Sequence, residues 1–346
     1  MRETQYKTFS LRTHKINWRR EHPNACQFEF TFRCGLHCKY CYTDCYNKPA
    51  YFKKELDTEQ VKHILDKLYK SGVIWLCFTG GDPLARRDFL DIYSYAKHKG
   101  FIITIFTSGY FLTKEITDYF KQKPPFVIEM TLNSVNKELF EEITQVKGSF
   151  IKVMGGIELI LKSKLSLEIK TQIIKDNLEE LERIRKFIEG LGLRFIPDFD
   201  MYARLDGDSA PCNLRVSAEK ILALKAPQKK QDDVYQSLSN RRKQPSESNL
   251  FRCAIGRDNM HIDPYGNTFL CSLIRKPTFN LLKSDVEDVL DKLMPLVENR
   301  EFATNTRCKS CNLRKSCHWC PGKAYVETGN LEAPIDYYCK LSGYTA

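Results

Sequence analysis

The chain has 346 residues, of which 42% are hydrophobic and 28% charged, and its formal net charge is +11. This length suits one large domain and a smaller one, and the composition is ordinary for a soluble globular protein. The first twenty residues are polar and basic, so no secretory signal is predicted. No run approaches the roughly 18 apolar residues of a membrane span. We therefore expect a cytoplasmic protein without membrane contact.

Apolar runs and helical patterns alternate from residue 27 onward. The runs predicted as strands are residues 27–32, 73–79, 101–107, 126–132, 167–174 and 194–199. Helical spacing is found at residues 58–71, 88–99, 115–121, 150–162 and 178–191. Six such parallel units with right-handed crossovers predict an α/β fold, a partial (β/α)6 TIM-like barrel with its helices outside.

The alternation fades after about residue 200. Residues 226–249 are rich in Lys, Gln, Ser and Asn and predict a polar connector. Residues 250–346 contain seven cysteines but few regularly spaced apolar residues, so we expect bound inorganic clusters to organise them. The predicted division is a basic segment over 1–25, a barrel over 26–225, the connector over 226–249, and a small cysteine-rich domain over 250–346.

Fourteen cysteines without a secretory signal favour metal or cluster ligation, because the cytosol keeps thiols reduced. Cys34, Cys38 and Cys41 have the spacing C-x3-C-x2-C in the loop after the first predicted strand. A four-iron cluster held by three cysteines keeps one iron open for a small-molecule ligand. The alternative is a closed zinc site, which needs four protein ligands and would recruit Cys45 or His37.

Glycine-containing or polar segments follow the next three predicted strands. They are Gly80-Gly81-Asp82-Pro83 after the second, Thr107-Ser108-Gly109 after the third, and Asn133-Ser134 after the fourth. Functional groups of parallel βα units gather at these C-terminal strand ends. The segments therefore predict one shared site at the mouth of the barrel.

Taken in this order, the motifs resemble the radical S-adenosylmethionine (SAM) superfamily, in which C-x3-C-x-aromatic-C follows the first barrel strand. Tyr40 supplies the aromatic residue. The resemblance implies a [4Fe–4S] cluster on the three cysteines. It further implies that Gly80, Gly81, Asp82 and Pro83 bind the methionine amino group, that Thr107 and Ser108 lie near the ribose, and that Ser134 contacts the methionine carboxylate. An arginine that some relatives place about twenty residues later is not found.

The implied chemistry is reductive cleavage of SAM to a 5′-deoxyadenosyl radical, which abstracts hydrogen from a substrate. Cys212 lies in the loop after the sixth predicted strand. A thiol there could donate a hydrogen atom to a substrate radical, as in radical peptide epimerases. The alternative is a passive loop cysteine.

The later cysteines have the spacings C-x12-G-x4-C, then C-x2-C-x5-C-x2-C, and a final cysteine. Two C-x2-C pairs are also compatible with a zinc ribbon. The arrangement resembles the SPASM extension of radical SAM enzymes. That resemblance implies two auxiliary iron–sulfur clusters, an outer one on Cys308, Cys311, Cys317 and Cys339 and an inner one on Cys253, Cys271 and Cys320. The fourth ligand of the inner cluster is left open.

SPASM-containing enzymes often modify peptides, so the leading hypothesis is the maturation of a ribosomally synthesised peptide by crosslinking or epimerisation. The expected partners are a peptide or small protein with an acidic leader, a separate peptide-recognition protein, and a low-potential electron donor such as flavodoxin or ferredoxin. Alternatives are an anaerobic sulfatase-maturing, formylglycine-generating enzyme and a small-molecule radical dehydrogenase or epimerase. A remote alternative is a non-catalytic zinc-binding nucleic-acid module, and we do not expect nucleic acid as the partner.

Overall fold

The computed structural model describes residues 5–20, 23–225, 248–252 and 259–343. Most of the predicted connector, as well as Cys253, lies outside these ranges. The strands are β1 (Ala25–Thr31), β2 (Trp75–Gly80), β3 (Ile102–Thr107), β4 (Val127–Thr131), β5 (Leu167–Gln172), β6 (Phe195–Asp198), β7 (Asn259–Ile262), β8 (Asn267–Phe269) and β9 (Phe279–Asn280). The α-helices of the described ranges are Tyr6–Arg20, Pro49–Phe52, Thr58–Lys70, Phe89–His98, Lys114–Gln122, Lys137–Thr144, Ser149–Lys162, Leu181–Gly190, Ala218–Lys225, Val286–Glu298, Arg307–Ser310, Pro321–Thr328 and Asp336–Leu341.

Strands β1 to β6 pair in parallel, each with the next one along the chain. The predicted partial barrel is therefore confirmed, with strand limits displaced by a few residues. Sequence reasoning missed the helix Lys137–Thr144. Asn136 begins this helix, because its side-chain oxygen accepts a hydrogen bond from the Leu139 N–H at 2.9 Å.

The sheet continues into the cysteine-rich part of the chain. Strand β7 pairs in parallel with β1, and β8 and β9 follow it in antiparallel order, which makes nine strands in all within the described ranges. The helix Val286–Glu298 buries Val289, Leu290 and Leu293 in the same apolar core as the barrel helices. The expectation that residues 250–346 lack regularly spaced apolar side chains is wrong for this helix.

The basic N-terminal segment contains a helix, Tyr6–Arg20, that packs at the N-terminal end of the sheet. The ring centroids of Tyr6 and Phe126 are 4.5 Å apart, and those of Phe9 and Trp75 are 5.9 Å apart. The Trp75 indole N–H donates to the Tyr6 hydroxyl at 3.1 Å. The helix therefore does not cover the C-terminal ends of the strands, which form the mouth of the barrel and carry the predicted functional residues.

The strand register determines which side chains face the interior of the barrel. Glu29 pairs with Thr79, and Phe106 pairs with Glu129. Side chains alternate along each strand, so these four face away from the apolar side that helices cover. Among the described residues, no helix combines the length and apolarity that crossing a bilayer demands.

Candidate functional site

The loop after β1 brings Cys34, Cys38 and Cys41 together. The three thiols interact electrostatically, and burial raises the pKa of each, that of Cys38 to about 12. Buried thiols ionise only beside a positive partner, which a metal centre supplies. Within the described ranges, no three His, Cys, Asp or Glu side chains are close enough to hold a single metal ion. Three thiols of one loop fit a four-iron cluster, in which each cysteine binds a different iron.

Two distant side chains hold the backbone of this loop. The Asn47 side-chain oxygen accepts from the Cys34 N–H at 3.1 Å, and its amide donates to the carbonyls of Cys34 and Leu36 at 3.3 and 3.2 Å. The Arg204 guanidinium donates to the Cys41 carbonyl at 3.3 Å. Each of these bonds restricts where a cysteine can point.

The middle of the loop rests on the missed helix, Lys137–Thr144. The backbone N–H groups of His37 and Lys39 donate to the carbonyls of Thr144 and Ile143 at 2.9 and 3.0 Å. A helix that ends with free carbonyls thus finds its partners in the cysteine loop. The fourth βα unit thereby supports the loop that follows the first strand.

Tyr40 links the cysteine motif to the end of β4. Its hydroxyl accepts a hydrogen bond from the Asn133 side-chain amide at 2.6 Å, and burial raises its pKa. The side-chain oxygen of Asn133 in turn accepts from the Gln172 N–H at 3.0 Å. A polar chain therefore joins the cysteine loop to the ends of β4 and β5.

The glycine segment after β2 lies against the end of β1. The Gly81 N–H donates to the Thr31 carbonyl at 2.7 Å. A Cβ atom at Gly81 would stand 2.4 Å from the Arg33 carbonyl oxygen, and Gly80 has a φ of +127°. Only glycine permits this approach. The segment predicted to bind the methionine amino group is thus adjacent to the start of the cysteine loop.

Asp82 joins the ends of β2 and β3. Its fully buried carboxylate accepts hydrogen bonds from the hydroxyls of Thr107 and Ser108 at 2.9 and 2.5 Å, and from the backbone N–H groups of Ser108 and Leu84 at 3.1 and 3.0 Å. Burial raises the pKa of Asp82, and these bonds oppose the rise. The hydroxyls that were predicted to lie near the ribose therefore bind Asp82, and buried Pro83 begins the turn beside it.

Ser134 is buried at the same end of the sheet, but its hydroxyl is engaged. It donates to the Glu180 carboxylate and accepts from the Asn136 N–H at 2.9 Å. A methionine carboxylate would have to displace Glu180 and its negative charge. The predicted contact between Ser134 and that carboxylate stays a prediction.

Two ion pairs cross the barrel interior. Arg275 donates two hydrogen bonds to the Glu29 carboxylate, at 2.6 and 2.9 Å. Lys170 pairs with Glu129, and its ammonium lies 4.4 Å from the centroid of the Phe106 ring. Arg275 comes four residues after Cys271, so it anchors a cysteine-bearing segment to β1.

Four of the later cysteines surround one cavity. Cys308, Cys311, Cys317 and Cys339 line a space of about 360 Å³ together with Trp319 and other residues. Burial, reinforced by the neighbouring thiols, raises the pKa of Cys308 to about 11. This set is the one predicted for the outer auxiliary cluster, and four thiols around a space fit a cluster with a full cysteine ligand set.

The predicted inner set is described in part. Cys320 begins the helix Pro321–Thr328, where its sulfur accepts from the Lys323 N–H at 3.3 Å. Cys271 packs in a small apolar cluster around Leu273 and Val326. Cys253 lies outside the described residues.

Cys212 packs against the same small cluster as Cys271. Its sulfur is 3.7 Å from the Glu327 carboxylate, and burial raises its pKa to about 11. Arg215 donates to both Glu327 oxygens, at 3.0 and 2.6 Å. This thiol therefore stays protonated at neutral pH, and its carboxylate neighbour is held in place.

Residues 28–188 match the family model described as the Radical SAM superfamily. These residues therefore form a radical SAM domain. The chain is an enzyme, and the family implies that it binds SAM and a [4Fe–4S] cluster.

Several relatives of this radical SAM enzyme are known by activity or structure. An AdoMet-dependent heme synthase from Methanosarcina barkeri is 23% identical over 340 residues, 91% of this chain and 97% of that protein. A PqqA peptide cyclase from Granulibacter bethesdensis is 28% identical over 175 residues, 50% of this chain and 46% of that protein. The Streptococcus suis SuiB structure with its precursor peptide SuiA shares the fold, with a TM-score of 0.70 at 16% identity, over 98% of this chain and 82% of SuiB.

Sequence reasoning on this radical SAM enzyme missed the residues that support the site. Arg204 and Arg275 act through contacts with residues far away in the sequence, and Asn47 acts through contacts with residues 11 and 13 positions before it. Asn133 was named at the end of the fourth predicted strand, but its hydrogen bond to Tyr40 was not predicted. The other three have no local signal.

Proposed function

We propose that this radical SAM enzyme matures a ribosomally synthesised peptide, by crosslinking or epimerisation. Cys34, Cys38 and Cys41 would hold the [4Fe–4S] cluster, which with SAM bound supplies the carbon radical that abstracts hydrogen from the peptide. The observation that carries the proposal is the convergence of these three thiols with the glycine and Asp82 segments at one barrel mouth. The peptide class is supported by the PqqA peptide cyclase relative and by the fold shared with peptide-bound SuiB.

The chain's own residues would position the reactants. Gly80 and Gly81 let the backbone pass beside the cysteine loop, where the methionine amino group would bind. Asp82 holds the ends of β2 and β3 at a fixed separation. The ion pairs inside the barrel present hydrogen-bonding groups to a polar substrate such as a peptide.

We further propose that residues 250–346 form a SPASM domain with two auxiliary clusters. Cys308, Cys311, Cys317 and Cys339 would bind the outer one. Cys253, Cys271 and Cys320 would bind the inner one, with its fourth ligand unassigned. The four-thiol cavity supports the outer assignment.

Anaerobic reconstitution tests the three clusters. We expect about twelve irons per chain with equal sulfide, and about eight after replacement of Cys34, Cys38 and Cys41 by Ala, together with loss of SAM cleavage. SAM cleavage retained by the triple variant would refute the radical site. Zinc without acid-labile sulfide would identify the zinc-binding module instead.

A second candidate is suggested by the heme synthase relative, which matches over 91% of this chain. The two candidate functions can be distinguished by the substrate that the enzyme converts. The reconstituted enzyme is incubated with SAM and a reductant, once with a peptide encoded by a neighbouring short reading frame and once with an iron porphyrin. Mass spectrometry should show loss of two hydrogens from a crosslinked peptide, or solvent deuterium in an epimerised one. Heme formation with an unchanged peptide would favour the second candidate.

A further inference from the structure

Thr43 places a buried hydroxyl group beside one of the radical-site cysteines. It stands two residues after Cys41, and only 5% of its surface is exposed. Its hydroxyl forms a hydrogen bond of 3.4 Å with the Cys41 sulfur. Within the described part of the chain, the hydroxyl has no other hydrogen-bond partner. The function of this side chain is therefore to be sought at the sulfur.

The position of Thr43 in the loop would also suit a purely structural role. It directly precedes the 3₁₀ turn Asp44–Tyr46, and a threonine there usually accepts a hydrogen bond from the backbone of the turn. The Thr43 side chain makes no such bond. The backbone holds the turn instead, since the Tyr46 N–H donates to the Thr43 carbonyl at 2.9 Å. The hydroxyl is therefore used for the sulfur and not for the turn.

The direction of this hydrogen bond follows from the state of the sulfur. A protonated thiol and a hydroxyl can each be the donor, but a cysteine bound to iron is a thiolate and has no proton to give. With a cluster bound, Thr43 must donate and Cys41 must accept. Burial raises the pKa of the Cys41 thiol, and the hydrogen bond from Thr43 opposes the rise. The bond thus favours the negatively charged form of the sulfur.

We propose that Thr43 is a positioning residue that raises the reduction potential of the radical-site cluster through the Cys41 sulfur. The inference rests on the proposed function, because it needs the [4Fe–4S] cluster on Cys34, Cys38 and Cys41. Reduction adds one electron from a low-potential donor such as dithionite, and no covalent bond forms or breaks. The added negative charge is shared by the cluster and its thiolates. A hydroxyl that donates to one of them therefore stabilises the reduced form more than the oxidised form.

The surroundings of the bond explain why one hydroxyl can matter. Because Thr43 is buried, water competes little for its hydroxyl, and a hydrogen bond is electrostatically stronger there than in water. Asp44 acts in the opposite direction. Its carboxylate lies 3.0 Å from the His37 ring nitrogen, and its negative charge disfavours the Cys41 thiolate. Thr43 thus supplies a donor where a neighbouring group disfavours added negative charge.

The test compares variants that change a hydroxyl without changing any charge. Thr43→Val removes the hydroxyl and keeps the shape of the side chain, whereas Thr43→Ser keeps the hydroxyl. Thr117→Val is the matched control, because Thr117 is also buried and its hydroxyl donates to the Lys114 carbonyl at 3.0 Å within one helix. Each reconstituted protein is titrated anaerobically with dithionite. The radical-site cluster is followed by the EPR signal that the triple variant without Cys34, Cys38 and Cys41 lacks.

We expect Thr43→Val to lower the ratio of reduced to oxidised cluster about fivefold at the midpoint potential of the wild type. Thr43→Ser and Thr117→Val should keep the wild-type potential, although Thr117→Val also loses a buried hydrogen bond. Thr43→Ala, which lacks the hydroxyl and adds no bulk, takes the place of Thr43→Val if valine reduces iron binding. An unchanged potential without the hydroxyl would overturn the inference, and so would an equal shift in Thr117→Val.

Pulsed EPR of protein exchanged into deuterium oxide provides a second measurement, which does not depend on the potential. The deuteron of the Thr43 hydroxyl should couple to the cluster in the wild type and in Thr43→Ser, and the coupling should be missing in Thr43→Val. An identical coupling in all three proteins would overturn the hydrogen bond. A wild-type protein that lacks the radical-site signal would refute the proposed function, whereas a cluster that is insensitive to the Thr43 substitutions would refute this inference alone.

Discussion

Gly81 shows how closely the backbone segments of the site approach one another. A Cβ atom there would be 2.4 Å from the Arg33 carbonyl oxygen and 2.6 Å from that of Phe32. Both contacts are with backbone, which cannot move aside as a side chain can. We expect Gly81→Ala to lower the free energy of unfolding by about 2 kcal/mol or more and to reduce bound iron, because overpacking displaces the start of the cysteine loop.

Gly155→Ala is the matched control. Apart from its chain neighbours and the backbone of its own helix, Ser149–Lys162, no atom lies within 4 Å of a Cβ built at Gly155. Alanine there should stabilise the protein by about 0.5–1 kcal/mol and leave iron content unchanged. Denaturant unfolding and iron analysis measure both variants. Equal effects of the two substitutions would show that the close approach at Gly81 is unimportant.

Cys212 tests the choice between epimerisation and crosslinking. If its thiol donates the returning hydrogen atom, Cys212→Ala should still consume SAM but give no epimerised peptide. Cys26→Ala is the control, because Cys26 is buried in the apolar core. Unchanged product from Cys212→Ala would exclude the thiol as the donor.

At the scale of single residues, the sequence indicated candidate ligands but not the residues that support them. Cys34, Cys38 and Cys41 are recognisable because cluster ligands must be close together in a short loop. Asn47 supports them through bonds that depend on how the loop folds back, which spacing does not encode. The hydrogen bonds from the Thr107 and Ser108 hydroxyls to Asp82 were not predicted, and the proximity of these two residues to the ribose stays a prediction.

The Glu29–Arg275 pair connects β1 with the segment after Cys271. Arg275→Ala would leave Glu29 buried without its partner, so we expect the free energy of unfolding to fall by about 3–5 kcal/mol near neutral pH. E29Q/R275A is the control, since it also removes the carboxylate. That double variant should be the more stable of the two.

The same pair makes a prediction about pH. Burial raises the pKa of Glu29 above its ordinary value of 4.5, and Arg275 opposes the rise. Without Arg275 the pKa of Glu29 rises further, so the folded state binds a proton more tightly than the unfolded state. The stability of Arg275→Ala should therefore be greatest at acid pH and fall as pH increases above about 4.5. A pH profile parallel to that of E29Q/R275A would contradict this explanation.

Helices and strands were predicted where apolar residues recur at a regular spacing and where strands and helices alternate along the chain. All six barrel strands were found. The helix Val286–Glu298 was missed although its apolar residues recur at helical spacing, because its region was interpreted from its seven cysteines as a metal-binding one. Strand β7 has four residues and pairs with β1, a contact across more than 200 residues that no local pattern reveals.

The whole molecule is more continuous than its predicted division suggests. The sheet passes from β1 to β7, and the helix Val286–Glu298 shares the barrel's apolar core. We expect the reconstituted chain to unfold in one calorimetric transition, because neither part can lose its structure without exposing the other. Two well-separated transitions would favour independent barrel and cysteine-rich domains. Replacing Leu293 by Ala creates a cavity in the shared core and should lower the temperature of this single transition without dividing it.

The bonds that hold the cysteine loop have a consequence for protein synthesis. Tyr40 is bound by Asn133, and Cys41 by Arg204, a residue made 163 positions later. Translation proceeds at about 5–20 residues per second, so the cysteines leave the ribosome well before the residues that hold them are made. For several seconds the three thiols are exposed on a nascent chain without their supports. We therefore expect stable cluster insertion to be a late event, with oxidants or competing metals having their best access to these thiols during translation.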